Sequence, residues 1–168
     1  MICPDCGSDN LAGVDNCEEC GQDLRSLDIP TPKDGLQQVL MESTLAEVGL
    51  YPPNLVAPTD SVLDAIRLMQ KTRHGSVLVV EDGSLVGIFT ERDVLDHLAG
   101  EDVDLAKLPV QVVMTTHPQH LGEEDVLAFA VHRMAVGHYR HIPVLRDGKP
   151  AGFLSVRGVL KFLSRHLE

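Results

Sequence analysis

Four cysteines fall within the first twenty residues, as Cys3-x-x-Cys6 and Cys17-x-x-Cys20. Two thiolates on one tight turn can face one ion. The glycine after each second cysteine, Gly7 and Gly21, supplies the positive φ that closes such a turn. Two turns give four ligands, the set for a tetrahedral all-thiolate zinc site. With no open position the site is structural, and it explains how about 24 residues with almost no core can fold. Iron also suits four tetrahedral thiolates. A disulfide pair does not suit a reducing compartment. A thioredoxin-like exchange motif needs a helix after the cysteines, and Gly7-Ser8-Asp9-Asn10 is no helix start.

A second group of candidates lies in the middle of the chain. Gly87-x-x-Thr90-x-x-Asp93 joins the end of an apolar run to the start of an amphipathic one. A carboxylate there can accept both hydroxyls of a ribose. The Thr90 hydroxyl and the helix N-terminus can hold phosphate, and Arg92 adds charge. The same residues are equally a capping box, which needs no ligand. One pair can do both in different states. Sixty-five residues later the pattern returns as Gly152-x-x-Ser155-x-Arg157-Gly158: the hydroxyl stays and glycine replaces the carboxylate. The second site is thus empty, weak or made for another ligand. Arg157, Arg140, His138 and His141 can still offer positive charge. His117-x-x-His120 and the His138/His141 pair have no cysteine or carboxylate at matching spacing, so they read as polar surface or cleft residues.

These candidates are positioned by an internal repeat. A shift of 65 superimposes Asp60 on Asp125, Ala65 on Ala130, Met69 on Met134, Val79 on Val144, Asp82-Gly83 on Asp147-Gly148 and Val94-Leu95 on Val159-Leu160. Each unit predicts a short extended piece (54–57; 119–121), then a helix with Val62, Ala65, Ile66 and Met69 buried, echoed by Leu127, Ala130, Val131 and Met134. An apolar strand follows (77–80; 142–145), then an Asp-Gly hairpin turn. A second strand (85–89; 150–154) and a last helix (91–98; 156–163) complete it. One copy of β-α-β-β-α has a thin core, so the two should pack together. Ahead of them, residues 25–43 read as a linker. Ile29-Pro30-Thr31-Pro32 is extended, and Leu36, Val39, Leu40 and Leu45 fall at helical spacing, suiting either a packed helix or a tether.

The run His74-Gly75-Ser76-Val77-Leu78-Val79-Val80 through Thr90-Glu91-Arg92-Asp93 resembles the signature of CBS domains. Tyr139-Arg140-His141-Ile142-Pro143-Val144 is similar to the matching strand of a second copy, and Val113-Met114-Thr115 to its lead-in. The first 24 residues are similar to short zinc ribbons. The resemblance implies an α/β (α+β) chain: a zinc ribbon over 1–24, a linker over 25–43, and CBS repeats over 44–100 and 105–168 in a pseudo-twofold pair. It implies AMP, ADP, ATP or S-adenosylmethionine in the clefts, a homodimer through the repeats, and a protein target. The implied nucleotide-binding residues are His74, Ser76, Thr90, Arg92, Asp93, Tyr139, His141, Ser155 and Arg157, with the base near His74 and Ser76.

Charge and composition narrow the alternatives. The chain has 168 residues and a net charge of −11. Residues 1–28 hold seven carboxylates against Arg25, and residues 81–125 hold eleven against Arg92 and Lys107. Residues 131–168 reverse the sign, with seven Lys/Arg against two carboxylates. An acidic ribbon argues against direct contact with nucleic acid, the main rival reading for a zinc ribbon. Ser-His-Asp, Cys-His, P-loop and GxGxxG patterns are all missing, so a non-catalytic regulator is expected. The longest apolar runs, such as 77–80, are too short to span a membrane, and the N-terminus has no signal-peptide pattern; the expected location is the cytoplasm.

Overall fold

The computed structural model describes residues 2–11, 14–24, 35–97 and 103–166. The proline-containing part of the linker lies outside them. The chain divides into two compact units, Met1–Asp34 and Gly35–Glu168.

In the first unit the two cysteine turns are built alike. Gly7 N–H donates to the Cys3 carbonyl at 2.9 Å, and Gly21 N–H to that of Cys17 at 2.9 Å. Both glycines are left-handed, with φ of 72° and 71°, where any other residue carries a steric penalty. Single bridges Ile2–Asp9 and Asn16–Asp23 close the two turns. Among the described residues only Leu24 and the half-buried Val14 join Cys3 and Cys17 in the core.

The second unit begins with α1 (Gly35–Glu42) and α2 (Leu45–Val48). The first repeat follows as β1 (Leu55–Val56), α3 (Val62–Thr72), β2 (Ser76–Glu81), β3 (Ser84–Thr90) and α4 (Glu91–His97). Next come a 3-10 turn at Val110–Val112 and β4 (Thr115–Thr116). The second repeat is β5 (Leu121–Gly122), α5 (Leu127–Gly137), β6 (His141–Arg146), β7 (Lys149–Ser155) and α6 (Val156–Leu163). The expected mixed α/β order is therefore present twice. The sheets run β1-β2-β3-β4 and β5-β6-β7. Both Asp-Gly pairs are left-handed at both residues (φ 49° and 79°; 50° and 75°), the conformation of a type I′ hairpin turn.

The strands are apolar without alternation because both faces are covered. Val77, Val79 and Phe89 belong to the core under α3, while Leu78 and Ile88 are buried from the opposite face. Ile142, Val144 and Leu154 repeat the first set, and Phe153 repeats Ile88 at 1 % exposure. β3 and β7 approach one another, so the sheets meet along these outer faces.

The two repeats also exchange their leading segments, which the sequence reading did not anticipate. Residues 44–51 precede the first repeat, yet Leu45 and Val48 fill the core of the second. Tyr51 pairs with Phe153 by reciprocal backbone bonds of 3.0 and 3.1 Å. Residues 109–116 return the contact. Val110 enters the first core, and Thr115 and Thr116 pair with Ile88 and Gly87. The bridges Thr44–Val126 and Ser61–Pro109 sit at equivalent places. Each exchanged segment also satisfies a helix N-terminus, an otherwise orphaned donor: Leu127 N–H donates to Ser43 and Val62 N–H to Leu108. The anticipated linker helix is α1. It breaks at Ser43, where Thr44 and Glu47 form a reciprocal capping box for α2. Its Val39 and Leu40 pack on the second repeat's core, not the first's.

Candidate functional site

The four cysteine side chains converge, with all ligand atoms within 4.8 Å of one another. Cys3 and Cys20 sulfurs stand 3.6 Å apart, as do those of Cys6 and Cys17. A tetrahedral ion with bonds of about 2.3 Å needs sulfurs about 3.8 Å apart. The spacing fits zinc, and equally an iron of similar bond length. Ser8 lies beside two of the sulfurs, its hydroxyl 3.0 Å from Cys6 and 3.1 Å from Cys17. That hydroxyl, then the Cys20 N–H, holds the Cys17 thiol down to about 5. Cys20 accepts the Gln22 N–H, which favours its thiolate. The crowding sulfurs of Cys6, Cys3 and Cys17, with desolvation, nevertheless push it up to about 12. Four sulfurs this close cannot all be anions unaided; a cation removes the conflict.

In the second unit the first-repeat candidates gather where β3 enters α4. Asp93 is 8 % exposed. One carboxylate oxygen accepts the Thr90 N–H and the Thr90 hydroxyl, both at 2.7 Å. The other accepts the Thr115 hydroxyl at 3.4 Å. Among the described residues no cation pairs with this carboxylate. One half of the capping box is thus present, the carboxylate on the Thr90 N–H, while the Thr90 hydroxyl donates to that same carboxylate. Thr115 is a third member that the exchange brings in from the lead-in segment. Arg92 donates to the His138 carbonyl at 3.2 Å and lies 3.9 Å from Asp96, so it spans the gap between the repeats. Tyr139 folds over Gly137, its ring occupying the space that a Cβ there would need.

The cavity itself lies on the other side. Its volume is about 290 Å³, and its walls include Tyr51, Arg73, His74, Glu91, Arg140, His141, Phe153, Ser155 and Arg157. Of the expected residues it therefore unites His74, His141, Ser155 and Arg157. Thr90, Arg92, Asp93 and Tyr139 stand apart from it. Ser76 is fully enclosed, its hydroxyl without a partner, and lines no part of the cavity. Tyr51, His74 and Phe153 form an aromatic wall, with ring centres 4.5 Å apart for Tyr51–His74, 5.5 Å for Tyr51–Phe153 and 5.3 Å for His74–Phe153. Ser155 caps α6 by accepting the Gly158 N–H at 3.1 Å. Burial holds the His141 imidazole below its ordinary value; Glu91 opposes this, while Arg140 and His74 add to it. A neutral His141 stays a donor that an anion can convert to imidazolium. Sequence reasoning missed Tyr51 and Phe153, whose only signal is their place 65 residues from Thr116 and Ile88.

Two β-α-β-β-α units that exchange leading segments and meet sheet to sheet form a paired-repeat module. Residues 45–100 and 110–165 both match the CBS domain family, and the chain belongs to it. It is 25 % identical over 116 residues to CBS domain-containing protein CBSCBSPB1 of Arabidopsis thaliana, covering 68 % of this chain. The chain spans about one fifth (21 %) of that relative's length. It is 26 % identical over 125 residues to a 17.7 kDa protein of Acidianus ambivalens, covering 73 % of this chain and 74 % of that one. Among solved structures, ATU1752 from Agrobacterium tumefaciens superposes with a TM-score of 0.62 at 30 % identity, over 70 % of this chain and 93 % of that one. The fold is shared by PAE2072 from Pyrobaculum aerophilum, solved with AMP (TM-score 0.64, 22 % identity, 73 % and 99 % covered). It is also shared by the CBS pair of MJ0100, solved with 5′-methylthioadenosine and S-adenosyl-L-methionine (TM-score 0.63, 20 % identity, 71 % and 98 % covered). No helix among the described residues is long and apolar enough to cross a membrane.

Proposed function

We propose that this chain is a non-catalytic regulator. Its CBS pair senses an adenine nucleotide (AMP, ADP or ATP), and its ribbon, built on zinc, docks on a protein target in the cytoplasm. The observation that carries the nucleotide reading is the Asp93 carboxylate, buried at a strand-to-helix junction with no cation beside it among the described residues. Ribose hydroxyls can replace its threonine hydroxyl partners as donors. The adenosyl ligands of PAE2072 and MJ0100 support the same class here. Calorimetric titration with AMP, ADP, ATP and S-adenosylmethionine tests the reading. Asp93→Asn removes the anionic acceptor while an amide oxygen still serves Thr90. Charge-assisted bonds are worth about 1.5–3 kcal/mol, so nucleotide binding through Asp93 is expected to weaken about 10–100-fold with the fold unchanged. Binding equal to wild type would leave Thr90 and Asp93 a helix cap only.

The module is further expected to form a homodimer through helices of both repeats. Leu95 on α4 and Leu160 on α6, equivalent under the 65-residue shift, are 69 % and 62 % exposed. Light scattering at high micromolar concentration should give twice the chain mass; a monomer there contradicts it.

A further inference from the structure

We propose that the second cleft binds the phosphate chain of a nucleotide without reading its sugar, so that it accepts ribo- and deoxyribonucleotides alike. This deepens the adenine-nucleotide reading above and rests on it. Gly158 stands where the first repeat has Asp93. A Cβ at Gly158 would lie 3.2 Å from the Tyr51 ring. The tyrosine, delivered by the exchanged segment, thus covers the position from which a carboxylate would reach a ribose. Losing that carboxylate removes the bidentate acceptor for the two hydroxyls.

What the cleft holds instead is positive charge beside an aromatic wall. Arg73, Arg140 and Arg157 line it against a single carboxylate, Glu91. Glu91 is seated over Gly75, where its carboxylate fills the space of an absent Cβ. Guanidinium forks suit phosphate oxygens, and His74 and His141 add two further nitrogens. Arg73 enters the cleft from the left-handed C-cap of α3. His74 Nδ1 is buried without a partner, a donor or acceptor awaiting one. On the first side the arrangement is reversed: a carboxylate is present, and Arg92 is engaged with the His138 carbonyl. The two clefts therefore divide the nucleotide's chemistry, one selecting ribose and the other phosphate.

The test titrates the full chain with ATP, dATP and inorganic tripolyphosphate. The variants are Asp93→Asn and the double change Arg140→Gln/Arg157→Gln, both arginines being exposed. Wild type is expected to bind two ATP with unequal affinity but one dATP. Asp93→Asn should bind ATP and dATP within about twofold of each other, with tripolyphosphate competing for that site. The arginine variant should lose dATP and tripolyphosphate by at least about 100-fold, two lost charge-assisted contacts, yet keep the ATP site that depends on Asp93. Preference for ATP over dATP in Asp93→Asn overturns the proposal, as does dATP binding that survives the arginine change. If ATP binds only through Asp93 and dATP not at all, the adenine reading stands and this proposal falls. If wild type and Asp93→Asn both bind ATP and dATP alike at two sites while tripolyphosphate binding still depends on the arginines, the phosphate cleft stands and the ribose reading falls.

Discussion

Chelation of the metal from the first unit is expected to unfold residues 2–24 and leave the melting of residues 35–166 where it was. Among the described residues the first unit's core amounts to Leu24, Val14 and two cysteines. Full burial of a leucine is worth about 1.5–3 kcal/mol, far below the backbone entropy of ordering some twenty residues at about 1–2 kcal/mol each. A structural zinc contributes on the order of 10–16 kcal/mol at neutral pH, and nothing else among the unit's described residues is of that size. Cys17→Ser should act like chelation, because Cys17 is one of the four converging thiols and also part of that core. Elemental analysis should return one zinc per chain before treatment. Limited proteolysis should then cut the ribbon only after treatment. Stoichiometric iron, or a ribbon that resists proteolysis without metal, would refute the zinc assignment. The second unit has its own two cores, so a melt of the chelated chain checks that the effect stays local.

Gly152→Ala should destabilise the second unit by about 3 kcal/mol, and Gly87→Ala by clearly less. The two positions are equivalent in sequence but not in surroundings. A Cβ at Gly152 would sit 2.5 Å from the Tyr51 carbonyl oxygen and 3.1 Å from the Leu50 Cβ. That carbonyl belongs to the exchanged segment and accepts the Phe153 N–H, so it cannot retreat without breaking the pairing. Overpacking costs typically 1–3 kcal/mol, and two lost backbone bonds add about 1 kcal/mol each. At Gly87 the obstacle is the Met114 side chain, whose sulfur would be 2.3 Å away. An unbranched thioether can rotate aside. For a unit of this size the Gly152 change should lower the melting temperature by roughly 10 °C. Equal shifts for both variants would mean that the Tyr51 segment yields as readily as a methionine.

The repeat, its strand-turn-strand units and the four-cysteine turns could be read from the chain because each rests on local pattern. Asp-Gly between two apolar runs admits few conformations, and Ala65, Met69, Ala130 and Met134 keep helical spacing whatever lies beyond them. The exchange of leading segments could not be read so directly. Leu45 and Val110, or Tyr51 and Thr116, share little beyond place, and the partners they choose lie in the other repeat. For the same reason the cavity fell on the unexpected side. Its walls join His74 of the first repeat to His141, Phe153 and Arg157 of the second, with Tyr51 delivered by the exchanged segment. The Thr90–Asp93 pair was visible, but its third member, Thr115, became a partner only through that exchange.

The exchanged segments also set an order of assembly on a chain that emerges from the ribosome N-terminus first. The first repeat needs Val110, Thr115 and Thr116, which follow directly after it, so its core can close once residue 116 is free. The second repeat needs Leu45, Val48 and Tyr51, synthesised long before it and held waiting until β7 and α6 appear. Its closing bridge, Thr44 to Val126, joins residues 82 apart, against 48 for Ser61 to Pro109. Contacts of that span form slowly, since the loop must be ordered before the contact rewards it. Until then Leu45 and Val48 present bare apolar surface, and that interval is when the nascent chain is most open to a chaperone or to the same segment of another copy.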